Sequence, residues 1–208
     1  MRWLAAHAEA PPAAAPATRR AAWLTGQSSW RNSLLSPTQH AVLDALEPHG
    51  WTGLRVGFPW TTRAAEGTYR REPLAAASLR NAWQWAAARP GRPFARDASR
   101  HLQALLDRTT SDLLLLTGSA GAQILAGAAP SVRTPPGLQV HVVALGPVGA
   151  VTPARRGWSV HVVRGSDDLL SRLGHRRPAD VVVPGGHLDA ATSPAAVAAV
   201  LELVGAAR

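Results

Sequence analysis

The sequence predicts an α/β protein with a doubly wound, mostly parallel sheet of about six strands and helices on both faces. Short apolar runs alternate along the chain with longer amphipathic segments, as strands and crossover helices do. Three of the apolar runs end abruptly in small residues, which is typical of strands that turn sharply into the next element. The chain has 208 residues, which is long enough for one domain of this kind.

The individual elements are indicated by capping residues and apolar periodicity. A first strand is predicted at Trp23–Leu24, and a helix follows from Ser36 to Leu46, with serine as its cap and proline at its first position. Leucines share one face of an amphipathic helix predicted over residues 95 to 109. The other predicted strands are Leu54–Gly57, Asp112–Leu116, Leu138–Leu145, Ser159–Val163 and Asp180–Val183, and the other predicted helices are Leu74–Ala88, Ala120–Gly127, Leu169–Leu173 and Ser193–Val204.

Composition divides the chain into a leader and a single domain. Residues 1–19 are rich in alanine and proline and are predicted to form a flexible leader without a core of its own. Residues 20–208 form the domain, which carries an insertion at about residues 58–94. Loops longer than about 15 residues usually have a function or structure of their own. Two interpretations of the insertion stay open. It covers the functional site, or its tryptophans pack it onto the body of the domain, which is favoured because large aromatic residues mostly supply burial.

The composition also excludes several classes of chemistry. The chain has no cysteine, so thiolate nucleophiles, disulfides and thiolate metal sites are excluded. All 22 basic residues are arginine, and the absence of lysine excludes Schiff-base chemistry and a phosphate-loop lysine. The eight histidines show no metal-ligand spacing. We therefore expect neither a metal nor another cofactor.

The formal net charge of +9 raises the question of a nucleic-acid partner. The arginines are scattered as single residues and short pairs, with no basic run and no recognisable nucleic-acid-binding module. We therefore predict no nucleic-acid partner. There is no apolar run of about 18 residues, so we also predict no membrane span and a soluble, cytoplasmic protein.

Chemically complementary residues stand directly after three of the predicted strands. The leucine run ends at Ser119, the valine-rich run before Gly165 leads to Asp168, and the last valine run leads to His187. Carboxyl ends of parallel strands meet at one edge of a sheet. A serine hydroxyl becomes a good nucleophile when an imidazole takes its proton and a carboxylate orients that imidazole. The sequence therefore predicts a catalytic triad at this edge.

Each of these residues also has a structural interpretation. Ser119 is a favourable N-cap for the helix that follows it, and Asp168 or Asp167 suits the cap of a later helix. The two glycines before His187 are an ordinary turn signal. The conjunction of three complementary residues at strand ends favours catalysis. The acid candidates are Asp168, Asp167 and, just beyond His187, Asp189.

The order serine, acid, histidine and the elbow Thr117-Gly-Ser119-Ala-Gly121 resemble the α/β-hydrolase family. The resemblance covers roughly residues 20 to 207, with Thr117 in place of the commoner first glycine. It implies a minimal α/β-hydrolase fold and a serine hydrolase that cleaves an ester or thioester through an acyl-enzyme on Ser119. The connection between Gly146 and Trp158 is too short for the helical lid that often follows that strand in the family.

The resemblance also favours Asp168 over Asp167, because Gly165-x-x-Asp168 matches the family spacing better, and it implies the rest of the site. The backbone N–H groups of Ala120 and of Gln27, in the loop after the first strand, are expected to bind the oxyanion. Trp30 and Trp60 are expected to line the substrate pocket, and the partner is expected to be a small-molecule acyl ester or thioester. Two alternatives stay open: an acyltransferase that uses the same triad, and a non-catalytic α/β-hydrolase scaffold that acts as a binding protein.

Overall fold

A computed structural model describes residues 2–27, 29 and 31–205 of the chain. These residues form one sheet of six strands in the order β2-β1-β3-β4-β5-β6, and every neighbouring pair is parallel. The predicted fold class is therefore confirmed. The strands are β1 (Ala17–Thr25), β2 (Thr52–Gly53), β3 (Thr109–Gly118), β4 (Gln139–Leu145), β5 (Trp158–Gly165) and β6 (Val181–Val183).

Helices cover both faces of this sheet, as a doubly wound fold requires. Alternate side chains of a strand point to opposite faces, so Leu113 and Leu115 enter one apolar core while Leu114 and Leu116 enter the other. The helices are α1 (Arg2–His7), α2 (Pro37–Leu46), α3 (Leu74–Ala87), α4 (Pro93–Leu106), α5 (Gly121–Ala128), α6 (Leu169–Gly174), α7 (Asp189–Thr192) and α8 (Pro194–Gly205). The first core contains side chains of α1, α4 and α5, and the second contains side chains of α2 and α8.

Helix α2 begins and ends where the sequence predicts. The Ser36 hydroxyl accepts the N–H of Gln39, and the Gln39 side chain accepts the N–H of Ser36. This reciprocal capping box satisfies two backbone donors at once. Pro37 at the first position has no N–H to satisfy. Local signals alone therefore determine where α2 starts.

The boundaries of two other elements differ from the prediction. Strand β2 is Thr52–Gly53, not Leu54–Gly57, because the chain leaves the sheet after one more hydrogen bond, from Leu54 N–H to the carbonyl of Ala21. Helix α4 begins at Pro93, a favourable first residue, and ends at Leu106, because the chain enters β3 at Thr109. The predicted span of residues 95 to 109 was therefore shifted towards the carboxyl end.

The predicted flexible leader is wrong for the described residues 2–16. They include α1, and the side chains of Trp3 and Leu4 are buried in the same apolar core as β1 and α4. The His7 imidazole is hydrogen-bonded to the Thr61 hydroxyl at 2.8 Å, which ties this segment to the insertion. Alanine and proline dominate the composition, but two large apolar side chains are enough to anchor the segment.

The strand order fixes where a functional site can form. From β1 the chain first moves outward to β2 and then returns to β3 on the other side of β1. In open α/β sheets, ligands bind at the carboxyl ends of the strands on either side of such a reversal. The carboxyl ends of β1 and β3 are Thr25 and Gly118, which pair with each other in the sheet register. Within the described part of the chain, no helix is both long and apolar enough to traverse a bilayer.

Candidate active site

Ser119 lies in a strained turn between β3 and α5. Its φ of 50° falls in the left-handed region that costs free energy for a residue other than glycine. The turn is held by the Ser119 N–H, which donates to the Leu145 carbonyl at 3.3 Å. Close packing requires glycine at position 121, because a Cβ there would overlap the backbone carbonyl of Leu24. Thr117 is fully buried inside β3, where a β-branched residue is favourable.

The structure brings Ser119, His187 and Asp168 into one hydrogen-bonded chain. His187 Nε2 lies 3.1 Å from Ser119 Oγ, and His187 Nδ1 lies 3.0 Å from both carboxylate oxygens of Asp168. An ionised carboxylate only accepts hydrogen bonds, so Nδ1 is the donor to Asp168. Nε2 of the neutral imidazole is then free to accept the Ser119 proton. This is the arrangement that activates a serine hydroxyl.

Asp168 has both of the contacts expected from its position in the sequence, one with the start of a helix and one with His187. Its Oδ1 accepts the N–H of Ser171 at 2.8 Å and so caps α6. The same carboxylate faces His187, and its side chain is completely buried. Gly146, with a φ of 53°, makes room for the pair, because a Cβ there would lie 2.9 Å from Asp168 Oδ2 and 3.3 Å from His187 Nδ1.

The other two acid candidates are not part of the hydrogen-bonded chain. Asp167 is exposed, and its carboxylate contacts the hydroxyl of Ser166. Asp189 accepts the N–H of Gly186 at 2.9 Å, which fixes the turn before His187. The preference for Asp168 that follows from spacing therefore agrees with the geometry. Among the described residues, no group of three or more histidine, aspartate or glutamate side chains could hold a metal ion.

The two backbone N–H groups expected to bind an oxyanion differ in whether an acceptor already occupies them. Within residues 2–27, 29 and 31–205, no acceptor is hydrogen-bonded to the Ala120 N–H. The Gln27 N–H instead donates to Oε1 of Gln84 at 2.7 Å. The Gln84 amide completes a pair of bonds by donating from Nε2 to the Gln27 Oε1 at 3.0 Å. A side chain of the insertion therefore occupies one of the two expected donors.

Gln84 was not among the residues that the sequence singled out. It stands between two large aromatic residues, Trp83 and Trp85. Both tryptophans are exposed, whereas Gln84 is buried, at 1% exposure. The signal is the spacing of Ala77, Asn81, Gln84 and Ala88, which repeats at intervals of four, three and four and so marks one face of a helix. That face carries only small and polar residues.

Trp60, one of the two predicted pocket residues, is not part of this arrangement. Trp60 is 2% exposed in the apolar core, and its indole N–H donates to the Trp23 carbonyl at 2.9 Å. Its ring also packs edge-on against Phe58. Burial and a satisfied N–H make Trp60 a core residue rather than a wall of the site. Trp30 and Ser28 lie outside the described residues.

No protein-family model matches this chain, and no curated protein matches it. Among solved structures, the chain is similar to a proposed hydrolase of the alpha/beta superfamily from Xanthomonas campestris pv. campestris. The sequence identity is 19% and the TM-score is 0.48, and the similarity covers 90% of this chain and 99% of that one. Similarity at this level does not transfer an activity.

Proposed function

We propose that this protein is a serine hydrolase that cleaves an ester or thioester through an acyl-enzyme on Ser119. The observation that supports it is the continuous hydrogen-bonded chain from Asp168 through His187 to Ser119. It stands at the carboxyl ends of β3, β5 and β6, beside the reversal in strand order. A capped helix and a tight turn would account for each residue alone, but not for three complementary groups in hydrogen-bond contact.

In the proposed reaction, His187 takes the proton of Ser119 as its hydroxyl oxygen attacks the acyl carbonyl. Asp168 holds the imidazole in the productive tautomer and stabilises the imidazolium that forms. His187 then donates the proton to the leaving alcohol or thiol. Water enters, and His187 takes its proton as the water oxygen attacks the acyl carbonyl. His187 then returns the proton to Ser119 Oγ as the bond to the acyl group breaks and the acid product leaves.

The negative charge that develops on the carbonyl oxygen needs backbone donors. The Ala120 N–H is the first donor, because it follows the nucleophile at the start of α5. The Gln27 N–H is the second, and Gln84 must release it before the carbonyl oxygen binds there. Loss of one such donor typically lowers the rate by about a hundred- to a thousandfold.

One observation favours a second candidate, a non-catalytic scaffold that acts as a binding protein. The Gln27 N–H is bonded to a side chain that is itself buried. If that contact never opens, the oxyanion has a single donor and turnover is poor. The two candidates differ in one measurable property, the reactivity of Ser119.

A fluorophosphonate probe distinguishes the two candidates, because it reacts with an activated serine beside a formed oxyanion site. We expect one covalent adduct on Ser119, located by peptide mass spectrometry. The His187→Ala variant should not be labelled, whereas the control His40→Ala, a histidine on α2, should be labelled like the unmodified protein. A folded protein that gives no adduct under any condition would exclude the hydrolase and favour the scaffold.

A further inference from the structure

Helix α3 of the insertion contacts both loops that flank Ser119. On one side, a Cβ at Gly26 would lie 2.8 Å from Asn81 Cγ, and Gln84 bonds the neighbouring Gln27. On the other side, the Trp85 indole nitrogen lies against Gly149. The residue before Gly149 donates its N–H to the Ser119 carbonyl at 3.1 Å. Helix α3 therefore bridges the loop after β1 and the loop after β4, with the nucleophile between them.

The Gln84 carboxamide presents to the Gln27 N–H the group that a substrate would present. Its Oε1 is a carbonyl oxygen, and it accepts the Gln27 N–H at 2.7 Å in a site that excludes water. The second bond, from Gln84 Nε2 to Gln27 Oε1, fixes which end of the amide faces that N–H. A substrate carbonyl oxygen cannot accept the same N–H in the same place. Gln84 and the substrate are therefore mutually exclusive at this donor.

The closed arrangement leaves polar atoms without partners. Gln27 Nε2 and Asn81 Oδ1 are both buried, and neither has a hydrogen-bond partner among the described residues. A buried donor or acceptor that loses water without gaining a partner destabilises the conformation that buries it. Opening α3 returns both atoms to water. The chain before α3, residues 68–73, has no regular structure that would oppose this movement.

We propose that α3 is a lid that inhibits the resting enzyme, with Gln84 closing the oxyanion site until an acyl substrate replaces it. The proposal rests on the serine hydrolase activity proposed above and adds its regulation. Substrate binding opens the lid because the acyl carbonyl oxygen takes over the Gln27 N–H and the acyl group replaces α3 over Ser119. Only the fraction of molecules with α3 displaced binds substrate, so the apparent affinity is lowered by that fraction.

A different role for Gln84 makes the opposite prediction. If Gln84 only holds the Gln27 loop in its active shape, it is a positioning residue, and its removal slows the reaction. If Gln84 closes the site, its removal accelerates the reaction. The sign of the effect therefore separates the two roles without any assumption about the natural substrate.

The first experiment measures the second-order rate constant for fluorophosphonate labelling of Ser119 in the Gln84→Met variant. Methionine keeps the length of the side chain but cannot hydrogen-bond the Gln27 N–H as an amide oxygen does. We expect labelling about tenfold faster than in the unmodified protein. The control is Ser78→Ala, an exposed position of the same helix, which should label at the unmodified rate. Labelling of Gln84→Met that is equal or slower would overturn the lid.

The second experiment compares two states of one molecule and so does not depend on how well a variant folds. Because the chain has no cysteine, the pair Gly26→Cys and Asn81→Cys gives a single possible disulfide between α3 and the loop after β1. We expect the oxidised protein to label at least about tenfold more slowly than the reduced protein. Equal rates would overturn the lid.

The two experiments also distinguish failure of the lid from failure of the hydrolase. The cysteine-free protein is the control for the reductant, and its rate should be the same with and without it. If Ser119 is labelled in the unmodified protein but Gln84→Met is slower, the hydrolase stands and the lid is wrong. If no form is labelled, including the reduced disulfide variant, the hydrolase is wrong and the lid is wrong with it.

Discussion

The two sides of Ser119 differ in how they are built. On the acid–base side, His187 and Asp168 are already within hydrogen-bond distance of their partners, and the carboxylate is buried. On the oxyanion side, Gln84 occupies the Gln27 N–H. In the proposed reaction the proton-transfer groups are therefore assembled before substrate binds, whereas the donors that stabilise the developing charge are not. Under the two proposals, the sheet supplies the chemistry and the insertion controls access to it.

The two sides of Ser119 differ because different kinds of contact hold them in place. Ser119, Asp168 and His187 follow strands of one continuous sheet, whose register pairs Gly118 with Leu145 and Gly165 with Val183. Backbone ladders of this kind resist local opening. Helix α3 is hydrogen-bonded to the loop after β1 through a side chain of its own, Gln84, whose amide makes both bonds. It can therefore move without breaking the sheet.

The largest expected effect comes from removing the nucleophile. Ser119→Ala should lower kcat for ester hydrolysis by roughly 10⁴- to 10⁶-fold, because the groups of a triad act as a unit. Ser119→Gly should be equally inactive but more stable than Ser119→Ala by about 1 kcal/mol, because glycine adopts a φ of 50° without strain. Steady-state kinetics and urea unfolding measure the two effects. Hydrolysis close to the unmodified rate in either variant would mean that the acid–base side does not act through Ser119.

A slightly smaller effect is expected from the carboxylate. Asp168→Asn should lower kcat by about 10⁴-fold, because an amide no longer holds His187 in the tautomer that accepts the serine proton. The matched control is Asp167→Asn, the exposed neighbour, which should stay within about twofold. Both variants are compared by kcat on the same ester. If Asp168→Asn also stays within about twofold, the Asp168 carboxylate serves only as the α6 cap, which asparagine can also provide, and not through His187.

A still smaller effect concerns the free energy of unfolding at low pH. Burial is the main cause that lowers the pKa of His101 on α4 from 6.5 to about 4, and His7 contributes in the same direction. Between these pKa values the unfolded chain binds a proton that the folded protein does not, so stability falls as pH falls from 6.5 to 4. The loss should reach roughly 2 to 3 kcal/mol at pH 4.5 relative to pH 7.

The variant His101→Phe removes this titration and should flatten the pH dependence of the free energy of unfolding over that range. Urea unfolding at pH 7 and pH 4.5 makes the comparison. If the free energy of unfolding depends on pH in the variant as it does in the unmodified protein, His101 does not cause the acid sensitivity.

The sequence predicts well those features that depend on neighbouring residues or on a pattern that repeats from strand to strand. The cap of α2 is encoded by Ser36 and Gln39, and the triad candidates stand at strand ends whose order alone brings them to one edge. The contact between Gln27 and Gln84 spans 57 positions and depends on how α3 folds back, which no local pattern encodes. Trp60 was expected in the pocket as part of what the resemblance implies, but it is buried in the core, where large aromatic side chains are mostly found.

The most direct test of the account is to trap the acyl-enzyme. The protein is mixed with a short-chain p-nitrophenyl ester, quenched in acid within the first turnovers, and its intact mass and peptide map are determined. We predict a mass increase equal to one acyl group on the peptide that contains Ser119, absent in Ser119→Ala and more abundant at early times in Gln84→Met. A folded protein that carries no acyl group on Ser119, in both the unmodified form and Gln84→Met, would contradict the assignment of Ser119 as a nucleophile.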